Sequence, residues 1–320
     1  MSDSRTPPGP PASGAPVLVG VDGSAHGTRA LEWALGAATA LGAPLIVAHV
    51  RPEGLGPAPG RSASPGTDAP HPDPVLDAAR ALVEEHGAAV PVRCASLDGS
   101  VTDALPAAAR GCRLLVTGSR GRGGFASLLL GSTSRSLAAT APCPLVVVPH
   151  EARTAVPGTE AGAGAGRVLL GLHPEETPDE VVEFAFEAAR LRGVPLEAVT
   201  VLRLPAVPAA LLVAPVPVLQ VPGPLPEEDD SELMLRETER EQEARLRPFA
   251  ERWPEVELRP VVAPGDAAGR LVEGSRDAAL LVVGRHHRHR FGSLLIGSVA
   301  HAVLHHAHCP VAVVPPVPEA

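Results

Sequence analysis

The feature that most constrains this chain is an internal repeat that runs through nearly all of its 320 residues. Segments of the first half recur in order in the second half, offset by 151 residues early in the repeat and by 166 later. The matched segments are VLVGVDGS (17–24) with VLLGLHPE (168–175), GAPLIVAHV (42–50) with GVPLEAVTV (193–201), RLLVTGSRG (113–121) with ALLVVGRHH (279–287), and FASLLLGSTSRSLAATAPCPLVVVP (125–149) with FGSLLIGSVAHAVLHHAHCPVAVVP (291–315). Such self-similarity predicts two tandem copies of one structural unit.

The repeat divides the chain into domains. We predict a disordered tail (1–15), a first domain (16–150), a linker (151–166) and a second domain (167–316). The change of offset implies 15 additional residues in copy two, which we place in a proline-rich insertion at about 205–226. This insertion is apolar, but its prolines argue against a membrane helix. The N-terminus lacks the apolar core of a signal peptide, so we expect a soluble, cytoplasmic protein.

Each copy alternates short apolar runs with helical patterns. In copy one the apolar runs, rich in Val and Leu as buried parallel strands are, occupy 17–21, 44–50, 90–95, 113–117 and 144–148. A helical pattern covers 26–41 between the first two runs. The fold class we predict is α/β, with two tandem Rossmann-like, doubly wound domains, each a five-stranded parallel sheet with helices on both faces. Ligands of such folds bind at the carboxyl ends of the strands, where Asp22 and Gly118 fall.

A glycine-rich segment, TGSRGRGGFASLLLGST (117–133), follows the fourth predicted strand. Its spacing is Gly118-x2-Gly121-x9-Gly131-Ser132, and the last two residues open a predicted helix that runs to about Ala139. Glycines admit backbone N–H groups close to an anion, and a helix N-terminus attracts phosphate. The hydroxyls and charges that could assist are those of Ser132, Thr133, Ser134, Arg120 and Arg122. A flexible loop with an ordinary helix cap is the alternative, and the loop alone does not decide between them.

Both copies resemble universal stress protein domains, over about 17–149 and 168–315, and the chain resembles the tandem-domain members of that family. The spacing G-x2-G-x9-G-[ST], complete in copy one, is the motif of the ATP-binding branch. The resemblance implies ATP as ligand, with or without Mg²⁺, Asp22 on the ribose side and the backbone of Val50 at the adenine. It also implies that the nucleotide is lined by Gly118, Arg120 and Gly121 and that its phosphates are held by Gly131, Ser132, Thr133 and Ser134. A plainer interpretation of Asp22 is a helix N-cap, for which Ser24 is equally suited.

The family resemblance favours a regulatory nucleotide-binding module acting in the stress response. We identify no catalytic residue, because no carboxylate or histidine lies within the loop to assist transfer of the γ-phosphate. A slow ATPase, or another nucleotide-dependent enzyme on the same fold, is the alternative. A scaffold with a purely structural nucleotide is the second alternative.

Copy two departs from the motif. Its loop reads Gly284-x2-His287-x9-Gly297-Ser298, and His173 stands where copy one has Asp22. Two hydroxyls are also lost, since Val299 and Ala300 replace Thr133 and Ser134. A left-handed backbone at the middle glycine would add a steric penalty for His287. We therefore expect ATP mainly in copy one, although the histidines and arginines of 285–290 could hold phosphates by charge.

Charge and residue usage exclude several other functions. A formal net charge of −9 argues against nucleic acid and against an anionic membrane surface. His301 and His305 lie one helical turn apart but lack further ligands at diagnostic spacing, so we predict no metal site. No C-x-x-C pair occurs, and Cys143 and Cys309, at matching places, are interpreted as small buried residues.

Two structural expectations complete the prediction. Residues 226–253 form a charged amphipathic pattern, which predicts a helix that covers the sheet of copy two. The family resemblance implies that the last strands, at 144–149 and 310–315, pair within one chain as an internal pseudo-dimer. A homodimer and a protein partner remain open possibilities.

Overall fold

The computed structural model describes residues 14–51, 73–121, 130–149, 166–202, 228–285 and 296–316. The elements of copy one are β1 (Val17–Gly20), α1 (Ala25–Leu41), β2 (Leu45–Arg51), α2 (Pro74–Glu85), β3 (Val92–Asp98), α3 (Val101–Ala108), β4 (Leu114–Gly118), α4 (Ser132–Thr140) and β5 (Leu145–Val148). The elements of copy two are β6 (Val168–Gly171), α5 (Asp179–Arg192), β7 (Leu196–Leu202), α6 (Glu228–Arg252), β8 (Leu258–Pro264), α7 (Ala267–Gly274), β9 (Leu280–Gly284), α8 (Ser298–His306) and β10 (Val311–Val314).

The strands form one sheet of ten, in the order β3-β2-β1-β4-β5-β10-β9-β6-β7-β8. Within each copy all neighbouring strands are parallel. Strands β5 and β10 are antiparallel, with Val147 opposite Val311 and Val146 opposite Ala312. The predicted α/β class with two doubly wound, five-stranded halves is confirmed, and the two halves make a single sheet.

Helices cover both faces of this sheet. Strand β1 shows why, because Val17 and Val19 pack into one apolar layer while Leu18 packs into the opposite one. The first layer lies under α1, α2, α5 and α6, and the second lies under α3, α4, α7 and α8. Each layer contains residues of both copies, so the cores of the two domains are continuous across the β5–β10 pair.

The first helix of each copy ends at the same kind of residue, a left-handed glycine. Helix α1 begins after Ser24, whose hydroxyl accepts from the N–H of Gly27, and ends at Gly42 with φ of 60°. Helix α5 likewise ends at a left-handed glycine, Gly193, with φ of 62°. Left-handed backbone at a helix end is the conformation that favours glycine. The predicted helix at 26–41 is therefore present with almost the predicted limits.

The charged helix predicted at 226–253 is α6, and it packs on the sheet of copy two. Phe249 and Trp253 stack with Phe186 of α5, at centroid distances of 6.1 and 5.5 Å. The buried amide of Gln242 donates to the carbonyl of Ala198 and to the hydroxyl of Thr200, both at 2.9 Å. The helix is thus held by an apolar stripe and one buried polar anchor.

Several sequence predictions concern residues outside the described ones. These are the tail up to residue 13, the linker at 151–165 and the proline-rich insertion at about 205–226. Among the helices that are described, none combines the length and the apolar character needed to cross a bilayer.

Side chains also join the two copies. Arg113 of copy one forms an ion pair with Glu187 of α5. The guanidinium of Arg192 lies over the ring of Trp33, 5.5 Å from its centroid, and burial lowers the pKa of Arg192 to about 10. These contacts add polar and cation–π interactions to the shared apolar layers.

Candidate functional site

Asp22 lies just after β1, at the carboxyl edge of the sheet. Its Oδ1 accepts from the backbone N–H of Ser24 at 3.0 Å and from the Ser24 hydroxyl at 2.6 Å. The Ser24 hydroxyl oxygen in turn accepts from the N–H of Gly27 at 3.1 Å. Of the two N-caps considered from the sequence, the structure therefore has Ser24, and Asp22 orients this cap from outside the helix.

Glycines approach the carboxylate of Asp22 closely. A Cβ on Gly121 would lie 2.8 Å from Oδ2 of Asp22, and one on Gly27 would lie 2.9 Å from Oδ1. A Cβ on Gly118 would lie 2.6 Å from the carbonyl oxygen of His26. Gly121 is not in the left-handed region, so the strain considered from the sequence is not the reason for this glycine. The reason is steric: a Cβ at position 121 would meet the end of the Asp22 side chain, and this carboxylate would have to shift.

The N-terminus of α4 faces the same edge. Gly131 is the N-cap, its N–H donates to the carbonyl of Ser119 at 2.8 Å, and no described side chain caps this helix. Ser132 is exposed and Thr133 is half-buried, so both hydroxyls lie at the open end of the helix. Ser134 differs, because its buried hydroxyl donates to the carbonyl of Gly118 at 2.8 Å. The structure thus gives Ser134 a bond that joins α4 to the end of β4.

Val50 and Arg120 complete the predicted set. Val50, at the end of β2, is buried in the apolar layer that also contains Leu105 and Leu130. Arg120 is half-buried and directly follows β4 and Ser119. Arg122 lies outside the described residues. The predicted residues Asp22, Gly118, Gly121 and those from Gly131 on are therefore brought to one edge of copy one.

Three residues that the sequence did not single out belong to this edge. The Nδ1 atom of His26, in the first turn of α1, lies 3.3 Å from the hydroxyl of Ser119. The hydroxyl of Thr117 is buried and has no hydrogen-bond partner among the described residues. A histidine thus lies beside the loop in space although none lies within it in sequence. The only sequence signal was that His26 follows Asp22 by one helical turn.

Copy two has a cavity of about 540 Å³ at the corresponding edge. Gly284, Gly297 and Ser298 border it as the loop and helix N-terminus do in copy one, and His173 occupies the position of Asp22. The backbone N–H of His173 donates to the hydroxyl of Thr177 at 2.8 Å. The cavity therefore has the location of the copy-one site but a different set of side chains.

Arg285 does not take the phosphate-binding role considered for the basic run of copy two. Its Nη1 donates to the carbonyl oxygens of Ala139 and Ala141, at 3.1 and 2.9 Å, in copy one. Burial lowers the pKa of Arg285, and the carbonyls at the end of α4 offer it partial negative charge. The rest of the run, 286–290, lies outside the described residues.

The histidines of α8 and the cysteines before β5 and β10 contact or are buried among other residues of the fold. Within the described ranges no three His, Cys, Asp or Glu side chains are grouped as metal ligands. The rings of His301 and His305 lie 4.6 Å apart, and burial together with His301, His306 and Arg135 lowers the pKa of His305. Cys143 and Cys309 are buried, as predicted, and burial raises the pKa of each to about 12.

Comparisons with known proteins agree with this duplicated architecture. The family model described as "Universal stress protein family" matches twice, at 15–149 and 165–315. A universal stress protein of Mycolicibacterium smegmatis is 33% identical over 320 residues, covering 94% of this chain and 97% of the relative. Universal stress protein Rv2005c of Mycobacterium tuberculosis is 31% identical over 313 residues, covering 93% and 96%.

Solved structures share the fold. A putative universal stress protein from Pseudomonas aeruginosa aligns with a TM-score of 0.61 at 18% identity, covering 94% of this chain and 93% of the other. A universal stress protein from Archaeoglobus fulgidus aligns with a TM-score of 0.59 at 18% identity, covering 95% and 99%. Because the family model covers both copies and the relatives match over nearly their full length, this chain belongs to the universal stress protein family.

Proposed function

We propose that the protein is a regulatory ATP-binding module in which copy one holds the nucleotide. The observation that carries this proposal is the close approach of Gly121 to the carboxylate of Asp22. A Cβ atom at position 121 would lie 2.8 Å from Oδ2 of Asp22. At Gly121 the backbone passes so close to the carboxylate of Asp22 that a side chain there would displace it, which an ordinary surface loop would not require. A carboxylate held beside a glycine suits a ribose hydroxyl at Asp22, with the phosphates at Gly131 and the first turn of α4.

The N-terminus of α4 supports the phosphate part of the proposal. With Gly131 as N-cap and no described side chain capping the helix, N–H groups of its first turn are available to an anion. Ser132 and Thr133 add hydroxyl donors at this end, and the guanidinium of Arg120 adds positive charge. In α1, by contrast, the Ser24 hydroxyl already accepts from an N–H of the first turn. Of these two helix ends, α4 is the one suited to phosphate.

We assign the nucleotide to copy one alone. Copy two lacks the carboxylate of Asp22, since His173 stands there, and the hydroxyl of Thr133, since Val299 replaces it. Its Arg285 binds the carbonyls of α4. Each loss of a hydrogen bond to a charged group costs about 1.5–3 kcal/mol, so ATP binding in copy two falls to the millimolar range or beyond.

The contact between His26 and Ser119 gives the enzyme alternative a specific residue. At 3.3 Å from the loop serine, His26 is the histidine that could assist attack on a phosphate. Turnover in the unmodified chain would support that alternative if His26→Ala abolished it while ATP binding persisted. We expect turnover to be slow or absent, because the loop sequence 117–133 contains no carboxylate or histidine to assist transfer of the γ-phosphate.

The test is calorimetric titration of the full chain with ATP at pH 7.5. We expect one ATP per chain with micromolar affinity, about 8 kcal/mol. Asp22→Ala should weaken binding about 10- to 100-fold, since a hydrogen bond to a charged group contributes about 1.5–3 kcal/mol. His173→Ala, at the same place in copy two, is the matched control and should leave the affinity unchanged. Two equal sites, or an Asp22→Ala protein that binds as tightly as before, would contradict the proposal.

A further inference from the structure

Helix α8 carries two histidines on one face, His301 and His305. They are four residues apart, which places them one helical turn apart, and their ring centroids are separated by 4.6 Å. His301 is exposed and His305 is half-buried. The Nε2 atom of His305 is buried and has no hydrogen-bond partner among the described residues. The fold therefore brings two imidazole rings together and leaves a ring nitrogen of the pair unbonded.

The spacing of the two rings fits one metal ion between them. Imidazole nitrogen binds a divalent transition metal at about 2.0–2.1 Å, and the ring centroid lies about 1.1 Å further back, so two rings at right angles on one ion have centroids roughly 4.5 Å apart. At the tetrahedral angle the same distance is roughly 5.2 Å. The observed 4.6 Å is closer to the right angle, which is the angle of tetragonal Cu²⁺ and Ni²⁺ sites.

The helix holds the two ligands in place without a third. Two histidines at positions i and i+4 of one helix face are a known metal-binding arrangement. The opposite face of α8 is fixed in the core by Ala300, Val303 and Leu304, all buried. The lack of a third side-chain ligand argues against a structural zinc site, but it does not exclude a two-imidazole chelate, because water can fill the remaining positions of the ion.

The end of α8 is also a favourable place for a positive charge. Carbonyl groups at a helix C-terminus carry partial negative charge, and His305 lies in the last turn of α8. At the matching end of α4 this charge is met by the guanidinium of Arg285. The repeat places Ser119, which has no charge, where copy two has Arg285. A metal ion on His301 and His305 would supply to α8 the cation that Arg285 supplies to α4.

We infer that His301 and His305 form a binding site for a divalent transition-metal ion, with Cu²⁺ bound most tightly. Imidazole ligands suit Cu²⁺, Ni²⁺ and Zn²⁺, and Cu²⁺ is the strongest of these for a given set of ligands. The positive charge of Arg135, in α4, acts on His305 and opposes a cation there. The site does not depend on whether copy one binds ATP.

The test is titration of the full chain with Cu²⁺ at pH 7.5, in the absence of nucleotide. Competing ligands elsewhere are removed first, so all proteins carry His286→Ala, His287→Ala, His289→Ala and Cys94→Ser. We expect one Cu²⁺ per chain, bound at least tenfold more tightly than any further ion. The electron paramagnetic resonance spectrum of this ion should show splitting from two imidazole nitrogens.

Four variants in this background locate the ion. His301→Ala and His305→Ala should each weaken binding at least tenfold and leave splitting from one nitrogen. His306→Ala is the control, because it removes the neighbouring ring, whose centroid is 6.0 Å from that of His305, and keeps the pair. It should leave the affinity unchanged. Arg135→Gln should strengthen binding at least threefold at low ionic strength, because it removes the opposing charge.

Three results would overturn the inference. One is the lack of a tight Cu²⁺ site in the background protein. Another is unchanged affinity in both His301→Ala and His305→Ala, and the third is an equal loss in His306→Ala. Circular dichroism of the exposed-site variant His301→Ala checks that a loss of binding is not a loss of folding. Failure of ATP to bind would contradict only the proposed function.

Discussion

Arg285 of copy two donates through Nη1 to the carbonyl oxygen of Ala141 in copy one, at 2.9 Å. Ala141 is the C-cap of α4, whose N-terminus is the candidate phosphate site. Arg285 also connects the two ends of the copy-two loop, because its carbonyl oxygen accepts from the N–H of Gly297 at 2.9 Å. One residue therefore joins the glycine-loop region of copy two to the helix that borders the site of copy one.

We expect Arg285→Met to lower the free energy of unfolding by about 1.5–3 kcal/mol, because it leaves two carbonyls of α4 without a charged donor. Methionine keeps part of the apolar stem, so the loss reports mainly on the hydrogen bonds. Denaturant unfolding of the full chain measures it. Arg276→Met is the control, since this exposed arginine pairs only weakly with Glu273 and should change stability by less than about 0.5 kcal/mol. Equal effects of the two substitutions would argue against a bridging role for Arg285.

Substitutions of Gly121 and Asp22 should have coupled, non-additive effects on ATP affinity. Gly121→Ala places a carbon 2.8 Å from Oδ2 of Asp22, so this carboxylate must shift, and we expect ATP affinity to fall about tenfold, or 1.4 kcal/mol. In an Asp22→Ala background the conflict is gone, and the same glycine substitution should cost less than about 0.4 kcal/mol. Titrations of the four proteins complete the cycle. Additive losses would mean that Gly121 serves some other purpose.

Asp73, the N-cap of α2, should stabilise the fold only while it is ionised. Burial alone would raise its pKa, but the Nδ1 of His49 at 2.8 Å and the backbone N–H groups of Leu76 and Val75 lower the pKa below its ordinary value. A pKa that is lower in the folded state gives stability that is present above the unfolded value of about 3.9 and is lost as the pH falls through the folded value.

Asp73→Asn tests this, because asparagine keeps the cap and removes the charge. We expect it to cost about 1.5–3 kcal/mol near pH 6, and we expect the difference from the unmodified chain to shrink below about pH 4. Unfolding by denaturant at several pH values measures both. Asp77→Asn, in an exposed pair with Arg80 on the same helix, should have little effect at any pH. A cost for Asp73→Asn that stays constant down to pH 3 would show that its charge is not the cause.

The four thiols should react unequally. Burial raises the pKa of Cys112, and it raises the pKa of Cys143 and Cys309 to about 12, whereas Cys94 on β3 is partly exposed. Since the thiolate is the reactive form, a disulfide reagent at pH 8 should modify one thiol per folded chain quickly and all four in denaturant. Cys94→Ser should remove the fast reaction. Several fast thiols in the folded chain would contradict the burial of the other three.

The sequence was sufficient to predict the strands and the first helix of copy one, but not the contacts between these elements. Short apolar runs located the strands of copy one, and a helical period located α1, all within three residues, because parallel strands are buried on both faces and the helix on one. They could not show that Gly121 touches Asp22, about a hundred residues earlier, because the approach of two distant segments depends on the assembled sheet. Both positions are occupied by histidine in copy two, as His287 and His173.

Side-chain direction was the other property that could not be predicted. Arg285 belongs to a basic run that favoured phosphate binding by charge, yet it points to the end of α4 because the β5–β10 pairing brings that helix to it. His26 was not predicted to lie at the loop, because it precedes Ser119 by 93 residues in the sequence. Both cases arise where a residue's partner comes from a distant segment of the chain.

The outer strand β8 disfavours a further strand at its edge of the ten described strands. The N–H of Leu196 donates to the carbonyl of Glu257, and alternate residues of a parallel strand turn to opposite sides, so Pro260 and Pro264 face the open edge. Proline has no N–H, and a further strand laid against this edge would find donors missing at two places. One edge strand of each half is paired within the chain, β5 with β10. At the exposed edge of copy two, the prolines of β8 disfavour pairing with a strand of another molecule, and so disfavour aggregation.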